Sequence, residues 1–127
     1  MKPLVYRKSR RVRGTEPVRH KMHFAKGDTV RVIRGDDKGK EGKVLHVHPK
    51  MLRVTVEGVN IVKKHQRART AEQESKIIER PAPIAASKVM LLDPKSGAPT
   101  RVRRRRDKDG TVERIAVKSG QPIPRVR

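Results

Sequence analysis

Apolar residues alternate with polar ones where the chain is most regular, and a period of two is the mark of a half-buried strand. Val30 and Val32 share one face of a first strand. A loop with glycines at 35, 39 and 42 follows, and the apolar pattern resumes at Val44. Lys43–His48 and Leu52–Glu57 then read as a hairpin across Pro49-Lys50-Met51. In its second arm Leu52, Val54 and Val56 point one way and Arg53, Thr55 and Glu57 the other. Gly58 permits a bend, and Val59–Val62 supplies a further short strand.

Residues 65–86 are polar and irregular. Thr70–Ile78 has some helical propensity, but it lacks an apolar stripe and soon meets Pro81 and Pro83. A long loop with a short strand at 76–79 is expected there. Lys88–Leu92 is a compact apolar strand suited to closing a barrel, and Asp93–Gly97 is a turn. Thr100–Arg106 and Thr111–Lys118 flank Asp107-Lys108-Asp109-Gly110, and Asp-Gly is a strong hairpin signal. Residues 119–127 read as a loose tail. The chain is therefore expected to be mainly β, a small SH3-like barrel with a C-terminal hairpin extension and basic tails. Its divisions are a basic extension at 1–21, the barrel at 22–92 including the 65–86 loop, and the arginine-rich hairpin and tail at 93–127.

Composition limits what this framework can do. The 34 Lys and Arg, 19 of them Arg and 15 Lys, face 13 Asp and Glu, for a net charge of +21. With 33% hydrophobic residues in 127, only part of the chain can bury a core. The remainder needs a polyanion to become ordered. Nucleic acid fits that charge; a membrane surface fits poorly, because no amphipathic apolar face accompanies it. No apolar run approaches a membrane span, the N-terminus lacks the apolar core of a secretory signal, and the absence of cysteine fits the cytosol.

Tyr6 and Phe24 are the only Phe, Tyr or Trp residues, so base stacking on an aromatic platform is excluded as the main mode. Recognition of backbone and shape by Arg and Lys remains. Glycine allows the loop at 35–42 to approach a phosphate chain closely while Lys38, Lys40 and Lys43 neutralise it. Arg31, Arg34, Lys63 and Lys64 fall on turns or on strand faces opposite the valines. Arg101 and Arg103–Arg106 place five arginines in six residues, which suits an RNA-facing ribbon because lone guanidinium groups are costly to bury. The candidate RNA-binding set is Arg31, Arg34, Lys38, Gly39, Lys40 and Lys43 in the body, Lys63, Lys64, His65 and Arg67 beyond it, and Arg101, Arg103, Arg104, Arg105 and Arg106 in the ribbon.

Other chemistries fail on spacing. Gly35-x-x-x-Gly39-Lys40 is one residue short of a nucleotide-binding P-loop, and Glu41 and a strand follow where that motif needs Ser or Thr and a helix. His46, His48 and His65 could chelate only if brought together, and no carboxylate is positioned to help them. Asp107-Lys-Asp109-Gly110 is too short for a calcium loop. No catalytic constellation is visible, so neither an enzyme nor a cofactor is expected.

Residues 26–47 resemble the KOW motif of ribosomal proteins and transcription elongation factors. An ordered set extends the likeness from about Lys21 to Pro122: Lys26-Gly27-Asp28, the glycine loop, Val56-Glu57-Gly58-Val59-Asn60, Lys63-Lys64-His65, Ala86-Ser87-Lys88-Val89, and Gly97 to Val102. Together they resemble the bacterial large-subunit ribosomal protein L-twenty-four family. That resemblance implies a non-enzymatic, cytoplasmic ribosomal component that binds the 5′ domain of large-subunit rRNA early in assembly. It also implies a position near the exit of the peptide tunnel, with the loop from His65 approaching the rim. The implied partners are rRNA and neighbouring ribosomal proteins, with no membrane and no second copy of the chain.

The chain departs from the family in three places. The basic N-terminal extension is longer than usual, and Ala71-Glu-Gln-Glu-Ser75 stands where Pro-Gly-Gly is common. Some relatives carry a four-cysteine zinc ribbon, and the matching positions here, Asp93, Ser96, Ala116 and Ser119, cannot form it. Two alternatives share single features: a NusG-type elongation factor has the KOW motif but is expected to carry a preceding domain, and a nucleoid protein has the charge. Neither requires this order of motifs.

Overall fold

Valine supplies most of the buried positions, and its branched Cβ suits the pleated surface of a strand. The computed structural model describes residues 18–125. The strands are β1 (Thr29–Val32), β2 (Glu41–His48), β3 (Arg53–Val56), β4 (Ile61–Gln66), β5 (Lys76–Pro81), β6 (Ile84–Ala85), β7 (Val89–Leu92), β8 (Pro99–Thr100), β9 (Val102–Arg106) and β10 (Val112–Ala116). One 3-10 turn, Ala86–Lys88, precedes β7. The fold is mainly β, as the alternation predicts. Most of the basic extension lies outside the described residues.

Six strands pair in the order β6-β3-β2-β1-β7-β8, while β4–β5 and β9–β10 form separate two-stranded hairpins. All pairings are antiparallel. The six-stranded order does not close on itself: β6 and β8 are two-residue edges with too few backbone groups for a closing ladder. The expected barrel is thus completed by side-chain packing rather than by hydrogen bonds. Val30 and Val32 of β1, Val44 of β2, Val54 and Val56 of β3, and Val89 and Leu91 of β7 meet Val59 in one cluster. Gly42 is essential to this packing for its missing side chain. A Cβ there would lie 2.3 Å from the Glu57 carbonyl oxygen and 2.9 Å from a Val56 methyl.

Three expectations are corrected. Leu52 does not share the buried face of Val54 and Val56. It occupies the β2–β3 turn at φ 51° and is exposed. The 65–86 segment is mostly a hairpin, since β4 and β5 pair from Ile61↔Pro81 to Gln66↔Lys76, leaving only 67–75 as its tip. Its polar composition hid it because both faces are largely exposed. Finally, the chain beyond 118 is tied down as far as it is described. Ala116 donates its N–H to the Gln121 carbonyl at 2.9 Å, Ile123 donates to Arg114 at 2.7 Å, and the Ile123 side chain packs on the core.

The strongest tie involves a residue that the charge pattern assigns to the cationic ribbon. Arg114 of β10 is buried, and its guanidinium meets the buried Asp28 carboxylate through two bonds, Nη1 to Oδ2 at 2.5 Å and Nη2 to Oδ1 at 2.9 Å. The same group donates to the His23 carbonyl at 3.0 Å and the Pro124 carbonyl at 3.0 Å. Asp28 Oδ2 also accepts the Ala25 N–H at 2.7 Å. One ion pair therefore joins the segment before β1, the start of β1, the last strand and the C-terminal segment. Sequence spacing could not reveal it, because the partners lie 86 residues apart.

A second junction forms at the positions matching the zinc ribbon of some relatives. Buried Asp93 accepts the Ser119 hydroxyl at 2.5 Å, the Ser96 hydroxyl at 2.8 Å and the Lys95 N–H at 3.2 Å. Two turns, Asp93–Gly97 and Ala116–Gly120, are each closed by a glycine N–H donated to the turn's first carbonyl, both at 2.8 Å. The Ser119 hydroxyl, followed by Ser96 and the backbone N–H groups of 95 and 96, holds the Asp93 carboxyl below its ordinary 3.8 against the opposing effect of burial.

Removing one partner of a buried pair strands the other, so Arg114→Leu should destabilise the protein by about 3–5 kcal/mol in urea unfolding. An exposed control, Arg105→Leu, should stay within about 0.5 kcal/mol. A depressed carboxyl stabilises the fold fully above its unfolded pKa, and that contribution fades as pH falls through the lower folded value. Wild-type stability should accordingly decline from about pH 4 downward. Ser119→Ala should lower stability at neutral pH and flatten that acid decline.

Candidate nucleic-acid interface

The glycine loop is a closed turn. Val32 donates to the Lys40 carbonyl at 2.9 Å and Gly39 to the Val32 carbonyl at 2.8 Å. Lys38 and Lys40 donate to Gly35 and Asp37, each at 3.1 Å. Gly35 and Gly39 have φ values of 104° and 90°, a region that favours glycine. Because these amides are used inside the turn, lysine side chains rather than backbone N–H groups are what the loop offers a phosphate.

Asp37 organises the loop from below. Its carboxylate accepts Lys40 Nζ at 2.5 Å and the Asn60 N–H at 2.8 Å. Asn60 sits at φ 54° at the root of the β4–β5 hairpin and exchanges backbone and side-chain bonds with Ala82. Lys40, then the Asn60 N–H, holds the Asp37 carboxyl below its ordinary 3.8. Loop and hairpin are thereby set at a fixed spacing.

The candidate cations divide by partnership. Arg31 pairs with Glu41, Lys40 with Asp37, Lys63 with Glu79, and Arg105 with both Asp107 and Glu113. Among the described residues, Arg34, Lys38, Lys43, Lys64 and Arg67 have no carboxylate within salt-bridge distance. The same holds for Arg101, Arg103, Arg104 and Arg106 of the ribbon, although Arg104 donates to the Met22 carbonyl at 3.4 Å. Apart from half-buried Arg31, these cations are exposed. Lys63 and His65 lie on one face of the β4–β5 hairpin opposite Glu79 and Ile77, and Lys64 lies on the other opposite Ile78. Gly39 is a turn residue beneath the lysines.

The structure brings together cations that the sequence reading left out. Arg53, on the outward face of β3, and Lys88, at the end of the 3-10 turn, line one cleft with Arg34. The alternation of Arg53 with Val54 gave its outward orientation but no partner. Among the described residues no three His, Asp or Glu side chains converge as a metal site. The His46 and His48 ring centroids are 6.5 Å apart, and His48 Nε2 instead lies 3.2 Å from the Thr55 hydroxyl. No helix among the described residues is long and apolar enough to cross a membrane.

Comparison with known proteins agrees with this surface. Residues 59–123 match the C-terminal domain of large ribosomal subunit protein uL24, and residues 26–57 match the KOW motif. Large ribosomal subunit protein uL24 of Staphylococcus saprophyticus is 55% identical over 102 residues, spanning 80% of this chain and 96% of that one. The protein of the same description from Geobacillus stearothermophilus is 55% identical over 100 residues, 79% of this chain and 96% of its own. That from Bacillus thuringiensis is 54% identical over the same shares.

If Asp37 sets the loop, Asp37→Asn should accelerate amide exchange at Asn60 and Lys40 while leaving the β1–β7 ladder protected. In the wild type the same loosening should appear only as pH falls below the ordinary carboxylate range, because the Asp37 pKa is depressed. Unchanged exchange at Asn60 in the variant would show that the loop holds itself.

Proposed function

The chain belongs to the uL24 family of non-enzymatic large ribosomal subunit proteins, and on that premise we propose that it binds large-subunit rRNA through phosphate contacts from its unpaired cations. The observation that carries this reading is the partition of charge. The few acids are spent on Arg31, Lys40, Lys63, Arg105 and buried Arg114, which leaves the loop tip, one face of the β4–β5 hairpin and most of the ribbon positively charged. Phosphate contacts of this kind position a protein on RNA and carry little base information, in keeping with the scarcity of aromatic side chains.

In this proposal the protein engages the 5′ domain of the rRNA early in assembly and lies near the exit of the peptide tunnel beside other ribosomal proteins. The β4–β5 tip, residues 67–75, is the part directed to the rim. The family resemblance supports these placements. The exposed hairpin supports them too, since it projects polar chain beyond the core cluster without using it for packing.

Sedimentation tests the assignment: the protein should stay with large subunits through a high-salt sucrose gradient and should not follow nuclease-sensitive chromatin. A salt titration tests the contacts. Changing Arg103, Arg104, Arg105 and Arg106 to Gln should make the plot of log affinity against log salt shallower by ~2–3 units, at ~0.7–0.9 per phosphate lost and with Arg105 already occupied by carboxylates. The loss should be alike for matched and altered RNA sequences. A wild-type slope in the variant would place the ribbon in solvent.

A further inference from the structure

Arg34, Arg53 and Lys88 come from three separate parts of the chain, the glycine loop, β3 and the turn before β7, and line a single cleft of about 290 Å³. None has a carboxylate within salt-bridge distance among the described residues, and all three are exposed. The backbone fixes their approach. Ile33 donates to the Lys88 carbonyl at 2.8 Å, Arg53 is held in register opposite Ala85, and Lys88 Nζ lies 3.8 Å from where a Gly35 Cβ would sit. Two acids share the cleft. Asp37 is occupied by Lys40 and Asn60, so only Asp36 is free to oppose the three cations.

Like charges held this close repel one another, and an anion between them relieves the repulsion. A concave wall of low dielectric strengthens the attraction, and arginine offers a planar fork matched to phosphate oxygens. A stacked base is the poorer occupant. The cleft has no aromatic wall, and Val59 beneath it is 1% exposed and already used by the core. We propose that this cleft is a built phosphate site that seats one backbone phosphate of rRNA among Arg34, Arg53 and Lys88. The proposal rests on the rRNA-binding reading and gives it a specific anchor outside the loop lysines and the ribbon.

The test uses the full chain and a transcript of the 5′ domain of large-subunit rRNA in filter binding across a potassium chloride series. Arg53→Gln with Lys88→Gln should make the salt slope shallower by ~1.4–1.8 units. A control that removes the same charge elsewhere, Lys50→Gln with Lys95→Gln, should change it by clearly less. Asp36→Asn should tighten binding, because it removes the one free carboxylate from the cleft. All the altered side chains are exposed, and circular dichroism should show an unchanged fold. If wild type binds and the Arg53/Lys88 variant matches the control, the cleft site is overturned while rRNA binding stands. If Asp36→Asn weakens binding, the carboxylate contacts a base and the phosphate assignment is overturned. If wild type fails to bind the transcript, both readings fall together.

Discussion

The buried pair between Asp28 and Arg114 is the interaction on which the rest of the architecture depends. The core is a thin cluster of valines with one leucine, and its six-stranded sheet ends in two-residue edges. Such a sheet cannot position a separate two-stranded ribbon by packing alone. A guanidinium with four acceptors can, because it fixes direction as well as distance. Burial of two charges adds little net stability, but it makes misplacement of either element expensive. The arrangement is consequently one of specificity, and the single unpartnered atom in it, Arg114 Nε, shows how fully the other donors are used.

The same economy of acids governs the surface. With 13 carboxylates against 34 basic side chains, every acid placed in a structural pair leaves other cations uncompensated. Asp28 and Asp93 serve buried junctions, and Asp37 sets a turn. The remaining surface is repulsive in the free protein, and that repulsion is relieved when a polyanion supplies the missing charge.

How much was legible in the sequence follows from the range of each interaction. Period-two alternation exposed β1 and β3, and Asp-Gly exposed the β9–β10 turn, because both signals are local. The β4–β5 hairpin was hidden by its exposure on both faces, which removes the alternation that marks a strand. Leu52 looked buried because a one-residue turn effect, its positive φ, interrupts the pattern without changing the spelling. Arg114 sat among ribbon cations of the same type, and only the fold distinguishes a residue 3% exposed from neighbours that face solvent. The exposed candidate cations were readable as a set, but their division into paired and unpaired groups was not, since Arg31–Glu41 and Lys63–Glu79 depend on strand register. The convergence of Arg34, Arg53 and Lys88 likewise needed three segments to meet.

The junction at Asp93 has a wider consequence. Two hydroxyls and a carboxylate occupy the place where a thiolate–metal centre would otherwise clamp two turns. Hydrogen bonds need neither a scarce ion nor a reducing milieu to form, and chelators and oxidants have nothing there to attack. The chain can therefore complete its C-terminal half wherever its backbone can fold, independent of the cell's supply of zinc and of its redox state.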